Sequence, residues 1–144
     1  MDDCVFCDII AGKAESTIVS RNDHCVAMMD TRPVNAGHVL VVPIRHADGL
    51  LDLEPNLAQA MFAMAQQVAD AVHRSGIRAE GITLLMDDGQ AAGQEVFHVH
   101  LHVIPRFEDD GFGFKFPPSY GRYPSREELE SRAVQIRRAL TAGH

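Results

Sequence analysis

Phe97-His98-Val99-His100-Leu101-His102-Val103-Ile104-Pro105 is the stretch on which the reading of this 144-residue chain turns. Apolar and imidazole side chains alternate along it. Strict alternation marks a β-strand, whose successive side chains point to opposite faces. Phe97, Val99, Leu101 and Val103 are expected on one face, against a core, and His98, His100 and His102 on the other. Three polar rings on one strand face are not a packing solution, because each must find partners if buried. Imidazole serves either as a metal ligand or as a nucleophile and proton carrier near neutral pH. Rings two residues apart repeat every ~6.5 Å along a strand, a poor match to one tetrahedral site for all three. A division of labour among them is expected.

Short strands and two main helices flank this stretch. Cys4-Val5-Phe6-Cys7 reads as a knuckle leading into a short helix closed by Gly12. Ser16–Ser20 and His24–Met29 read as a hairpin, and His38–Pro43 as a buried strand after a loop rich in Pro, Asn and Gly. Glu54-Pro55 opens the longest helix, where Leu57, Ala60, Met61, Met64, Ala65, Val68 and Val72 recur at helical spacing up to a stop at Gly76. Gly81–Met86 is a fourth strand, and the loop Asp87–Gln94 leads into the histidine strand. Beyond Pro105 the chain turns irregular until Ser125 and Glu128, at capping-box spacing, open a helix to about residue 140. The expected class is α+β: a five-stranded, mostly antiparallel sheet with the long helix on one face, the histidines on the other, and a C-terminal helix. One domain is expected over residues 1–144, with a C-terminal extension from about residue 106.

Composition narrows the function classes. A formal charge of −7 argues against a general nucleic-acid binder, which would carry a basic patch. No apolar run approaches the roughly 18 residues needed to span a bilayer, so no membrane partner is expected. Asp2 and Asp3 stand where an export leader would be basic, and the expected location is cytoplasmic. In a reducing compartment Cys4 and Cys7 read as a metal pair, while Cys25, in an apolar run, reads as a small core residue. His24, His73 and His144 fall in no motif and read as surface residues.

Taken together, Cys4-Val5-Phe6-Cys7-Asp8-Ile9-Ile10, Asp30-Thr31-Arg32-Pro33, Gly37–Pro43 and Gly93–His102 resemble the histidine-triad (HIT) family of nucleotide-binding hydrolases and transferases, over most of the chain. The resemblance implies the HIT-like fold and a homodimer in which two five-stranded sheets join into one of ten strands. It implies cleavage at the α-phosphate of a purine nucleotide conjugate, a phosphoanhydride or phosphoramidate, with release of a nucleoside monophosphate. His38, His98, His100 and His102 form the expected catalytic set. Within it His100 becomes a covalent nucleotidyl-phosphohistidine, while His102 and His38 sit beside the phosphate. Asp30 matches the ribose-binding position, Phe6, Ile10, Ile18 and Met28 match the walls around the base, and Gly93, Gln94, Glu95 and Val96 offer backbone N–H groups to phosphate. By the same resemblance Cys4, Cys7, His46 and His98 hold a structural zinc, and no organic cofactor is expected. Two positions depart from the pattern. Glu95 replaces a serine of the purine-nucleoside phosphoramidase branch, and Asp87 replaces a frequent amide. A carboxylate beside phosphate is repulsive unless protonated or turned away. The alternative is therefore a nucleotide-sensing dimeric binding module with little turnover. A redox role for Cys4 and Cys7 lacks the thioredoxin-like βαβ context.

Overall fold

The structure, a computed structural model, describes residues 3–143. Two compact units follow one another along the chain, Met1–Phe112 and Gly113–His144. In the first, a short helix α1 (Val5–Ile10) precedes strands β1 (Ile18–Arg21), β2 (Cys25–Met29) and β3 (Val39–Pro43). Helix α2 (Pro55–Arg74) follows, then β4 (Gly81–Leu85) and β5 (Leu101–Arg106). The sheet order is β1-β2-β3-β5-β4. Every ladder among the described residues is antiparallel. The last strand thus enters the gap between β3 and β4, which the α2 crossover leaves open.

Alternation puts a core on each face of the sheet. Cys25, Ala27, Val39, Val41, Val99, Leu101 and Val103 pack under α2, which contributes Met61, Met64, Ala65, Val68 and Val72. Those α2 positions form a stripe at i, i+3, i+4, i+7 and i+11, and each such side chain contributes ~1.5–3 kcal/mol when fully buried. Leu57 and Ala60, expected on the same stripe, are only partly buried at its edge. Pro55 at the first helical position and His73 and Arg74 in the last turn suit the two ends. Val26, Met28, Leu40 and Val42 face the other way and pack on Cys4 and Phe6. Cys25 is fully buried, and burial pushes its thiol up to about 11, as befits a small core side chain.

The histidine stretch is less regular than expected. Strand pairing begins only at Leu101. Pro43, at the end of β3, has no N–H to give, and its carbonyl accepts instead from His98 Nε2 at 2.8 Å. The chain is held there by Val99 N–H, which donates to Ala47 O at 2.8 Å. Alternation nevertheless continues through this irregular entry for Val99, Leu101 and Val103. It fails for Phe97, which is 50 % exposed beyond the edge of the core. His24 and His73 are on the surface, and His144 lies outside the described residues.

In the second unit, Phe116 stacks on Tyr120, and helix α3 spans Arg126–Ala142. Its start is the expected capping box: Glu128 N–H donates to Ser125 Oγ at 3.1 Å, and Ser125 N–H donates to Glu128 Oε2 at 2.7 Å. Among the described residues no helix is long and apolar enough to cross a membrane.

Candidate active site and metal centre

Antiparallel register places four side chains side by side on the face away from α2. Met28 is opposite Leu40, Leu40 opposite His102, and His102 opposite Leu85. These four floor a cleft of ≈ 470 Å³, within the range of small-ligand sites. Its walls include Phe6, Asp30, His38, Gly93, Glu95, Val96 and His100.

Hydrogen bonds fix the protons on these rings. His100 Nδ1 lies 2.8 Å from His98 O, a carbonyl that can only accept. Its Nδ1 therefore carries the hydrogen, and its Nε2 keeps the lone pair. His38 Nδ1 accepts from Val34 N–H at 3.0 Å, so its Nε2 carries a hydrogen, which it donates to His102 Nδ1 at 2.9 Å. That leaves the remaining hydrogen of His102 on Nε2. Two neighbouring rings, 5.0 Å apart at their centroids, thus offer one lone pair and one N–H. Burial lowers the pKa of His38, against the pull of Asp30. Burial first, then repulsion by His100 and His38, pushes His102 down to about 4. Asp30, His38 and His102 also converge closely enough to hold a cation. With its Nε2 protonated, however, His38 has no lone pair to give. Asp30 Oδ2 lies 3.4 Å from that nitrogen and acts on it as a nearby charge.

A second cluster lies next to the first. Cys4, Cys7, His46 and His98 bring their ligand atoms within 4.8 Å of one another. The sulfur–nitrogen distances are 3.3 Å for Cys4–His98, 3.3 Å for Cys7–His46 and 3.5 Å for Cys7–His98. Tetrahedral zinc, with bonds of ~2.3 Å to sulfur and ~2.05 Å to nitrogen, has a sulfur–nitrogen edge of roughly 3.5 Å. Tautomers agree as well. His98 gives its Nε2–H to Pro43 O, and His46 gives its own to Asp48 Oδ1 at 2.6 Å. Both Nδ1 atoms are thereby left as acceptors facing the thiols. Burial and the neighbouring Cys4 push the Cys7 thiol up to about 11, and burial also lowers the pKa of His98. The donor set, its spacing and its tautomers fit a four-coordinate metal.

Other expected site residues are distributed less simply. His98 is fully buried in the second cluster and is not on the cleft wall. Ile10 packs against the core formed by Val26, Met28, Leu40 and Val42, and Ile18 is 45 % exposed on β1, so neither lines the cleft. The Gln94 side chain is turned inward, donating to Asp48 O at 2.6 Å and Val96 O at 3.0 Å and accepting from Gly89 N–H at 2.8 Å. Gly93, at φ +101°, adopts a backbone that side chains rarely tolerate, and Asp87 lies against it. Glu95 is directed to Arg32, 3.1 Å away at the exposed mouth, so its charge is partly matched. Phe112, Arg32 and Val34 also line the cleft and were not singled out from sequence. Arg32 and Val34 fall in the loop rich in Pro, Asn and Gly that precedes His38.

A nucleotide-sized cleft floored by one antiparallel sheet, with rings set as lone pair and N–H beside a Cys2His2 cluster, defines a histidine-cluster protein of the α+β class. Comparison with known proteins gives the same class its family. The family model described as HIT domain matches residues 11–109, and the chain belongs to the HIT family. The structure of a HIT family protein from Bacillus anthracis is 36 % identical with a TM-score of 0.86, covering 96 % of this chain and 97 % of that one. A zinc-bound histidine triad family protein from Mycobacterium smegmatis is 37 % identical with a TM-score of 0.75, covering 96 % and 98 %. Adenylylsulfatase HINT3 of Arabidopsis thaliana is 36 % identical over 109 residues, which is 76 % of this chain and 55 % of that protein.

Proposed function

We propose that this chain is a nucleotidyl hydrolase or transferase that cleaves phosphoanhydrides or phosphoramidates of a purine nucleotide through His100. The supporting observation is the 2.8 Å bond from His100 Nδ1 to His98 O, which keeps the Nε2 lone pair of a cleft residue free. In the first step a bond forms from Nε2 to the α-phosphorus. The bond from phosphorus to the leaving group breaks, and the leaving group departs with the electron pair. The phosphorylated ring is cationic, and the His98 carbonyl on its Nδ1–H stabilises that charge. His102 Nε2–H is the matching donor to a phosphoryl oxygen, and His38 holds it in that tautomer. In the second step a water oxygen bonds to phosphorus, the nitrogen–phosphorus bond breaks, and nucleoside monophosphate leaves as the water proton passes to solvent. Asp30 is the candidate for the ribose hydroxyls, with Phe6 and Met28 as walls for the base. Backbone N–H groups of Glu95 and Val96 are candidates for the phosphate, since those of Gly93 and Gln94 are already donated to Gln90 O at 3.0 Å and Gly89 O at 3.1 Å.

Zinc is the metal that suits Cys4, Cys7, His46 and His98. With four protein ligands and no open position it would supply structure rather than Lewis-acid chemistry. A similar solved protein being zinc-bound supports the assignment. A homodimer in the cytoplasm completes the reading, with all 144 residues serving one HIT domain and its extension.

The carboxylates of Asp87 and Glu95 at the cleft favour a second reading, a nucleotide-occupied binding module with little turnover. One experiment separates the two. Adenosine 5′-phosphoramidate, adenylyl sulfate and a diadenosine polyphosphate are incubated with the protein and with His100→Gly. The enzyme reading expects AMP release by the wild type alone, with a radiolabelled adduct trapped on it after acid-free denaturation. Equal release by both proteins removes His100 as the nucleophile. Tight AMP binding with no release from any of the three substrates supports the binding module.

A further inference from the structure

Behind the cleft, and not on its wall, the Asp110 carboxylate is almost fully enclosed, its side chain 3 % exposed. Five donors converge on it. Arg106 supplies Nε at 2.6 Å and Nη2 at 3.0 Å, Asn35 supplies Nδ2 at 2.9 Å, and the backbones of Phe107 and Phe112 supply N–H at 3.3 Å and 3.1 Å. Arg106, foremost among these, holds the carboxyl well below the usual carboxylate range. A loop that only needed closing would not call for so many partners. Their placement is informative.

Asn35 is the link to the chemistry. Its Nδ2 bridges Asp110 and Pro105 O, the latter at 2.8 Å, while its main-chain carbonyl accepts from His38 N–H at 3.1 Å. One residue earlier, Val34 N–H donates to His38 Nδ1 and so sets that ring's tautomer. The turn that orients His38 is therefore fastened from behind by one amide side chain, and that amide is held by Asp110. Arg106 extends the same anchor to the cleft wall: its Nη2 donates to Phe112 O at 2.5 Å, and its guanidinium lies 4.9 Å from the Phe112 ring centroid.

We propose that Asp110 and Asn35 are positioning residues for the reaction at His100, acting through the Val34–His38 turn to keep His38 as the Nε2–H tautomer and hence His102 as a donor toward phosphate. The proposal rests on the nucleotidyl-transfer reading for its kinetic consequence, but not for its effect on the rings. A misplacement of about 1 Å far from the chemistry can cost ~100-fold in rate. A loss of that order in kcat/KM is expected, carried by kcat more than by KM.

The test uses full-length Asn35→Ala, which leaves the Arg106–Asp110 pair intact, and the near-isosteric Asp110→Asn. Long-range ¹H–¹⁵N correlation of the histidine rings is recorded on folded, metal-loaded protein without substrate, beside the kinetics. Both variants are expected to mix the two neutral tautomers at His38 and His102. His98 and His100, held by Pro43 O and His98 O, keep theirs. Either variant, folded and with wild-type tautomers at His38 and His102, overturns the proposal, whatever its thermal stability. Should Asp110→Asn fail to fold, Asn35→Ala decides alone. If the rings change as expected while wild-type protein releases no nucleoside monophosphate, the positioning stands and the nucleotidyl-transfer reading falls.

Discussion

Removing the Asp48 carboxylate by Asp48→Ala tests the proposed metal centre without touching any of its four expected ligands. Asp48 accepts the His46 Nε2–H at 2.6 Å, and its side chain is 69 % exposed, so the fold asks little else of it. Loss of such an outer hydrogen bond typically weakens metal affinity ~10–100-fold. At about 1.36 kcal/mol per decade this is ~1.4–2.7 kcal/mol. If the metal binds only the folded chain and is buffered above its dissociation constant, the same amount is subtracted from folding stability. For a chain of this length ~1 kcal/mol moves the melting midpoint by ~2–4 °C, so a fall of roughly 3–11 °C is expected in buffered zinc. Asp48→Asn, which keeps an acceptor oxygen, should fall at the lower end. Affinity is measured by competition with a chromophoric chelator, and melting is followed in buffered zinc and again after chelation. Unchanged zinc affinity in Asp48→Ala refutes the reasoning, and so does a melting decrement that persists in full after chelation.

Three further predictions concern the fold that carries the site. His102 titrates near 6.5 when unfolded but only at about 4 when folded, and His38 is shifted the same way. Between those values the unfolded chain binds more protons, so stability is complete above about pH 6.5 and falls with acidification toward about pH 4. Urea titrations of chelated protein across that range should show this decline, and a rise would contradict it. Gly37 sits at φ +91°, and an added Cβ would lie 2.9 Å from Ile77 Cγ2 and 3.3 Å from Pro105 Cγ. Gly37→Ala should therefore cost about 1–3 kcal/mol in chemical denaturation, and an unchanged midpoint would rule out the strain. Met64, 2 % exposed under the sheet, should cost ~2–5 kcal/mol as Met64→Ala, read by the same titration.

Most of the architecture could be read from periodicity. Period two separated Val99, Leu101 and Val103 from the three histidines even where the ladder is broken, because the extended backbone alternates with or without pairing. The α2 stripe and the Ser125–Glu128 capping box are local patterns and were legible for that reason. Insertion of β5 between β3 and β4 is a long-range pairing that no short window contains. Phe97 illustrates the limit at a strand end, where alternation continues in sequence after the core has run out of depth. The four possible metal ligands came from the family resemblance, and the structure adds the tautomers that make them a fitting set. Gly93 and Gln94 misled because backbone N–H groups in a tight loop can equally be used within it, here on Gln90 O and Gly89 O. The Asp110 anchor was invisible in sequence. Its significance comes from Asn35, 75 residues away, and nothing in either neighbourhood names the other.

Residue 98 carries two duties on different atoms. Its imidazole belongs to the Cys2His2 cluster, while the ring at position 100 is steered by its main-chain oxygen. An amide carbonyl is present whatever side chain stands there. A lineage could thus discard the thiols, replace the imidazole at 98 with an apolar group, and still inherit the aim of the neighbouring ring from the polypeptide itself.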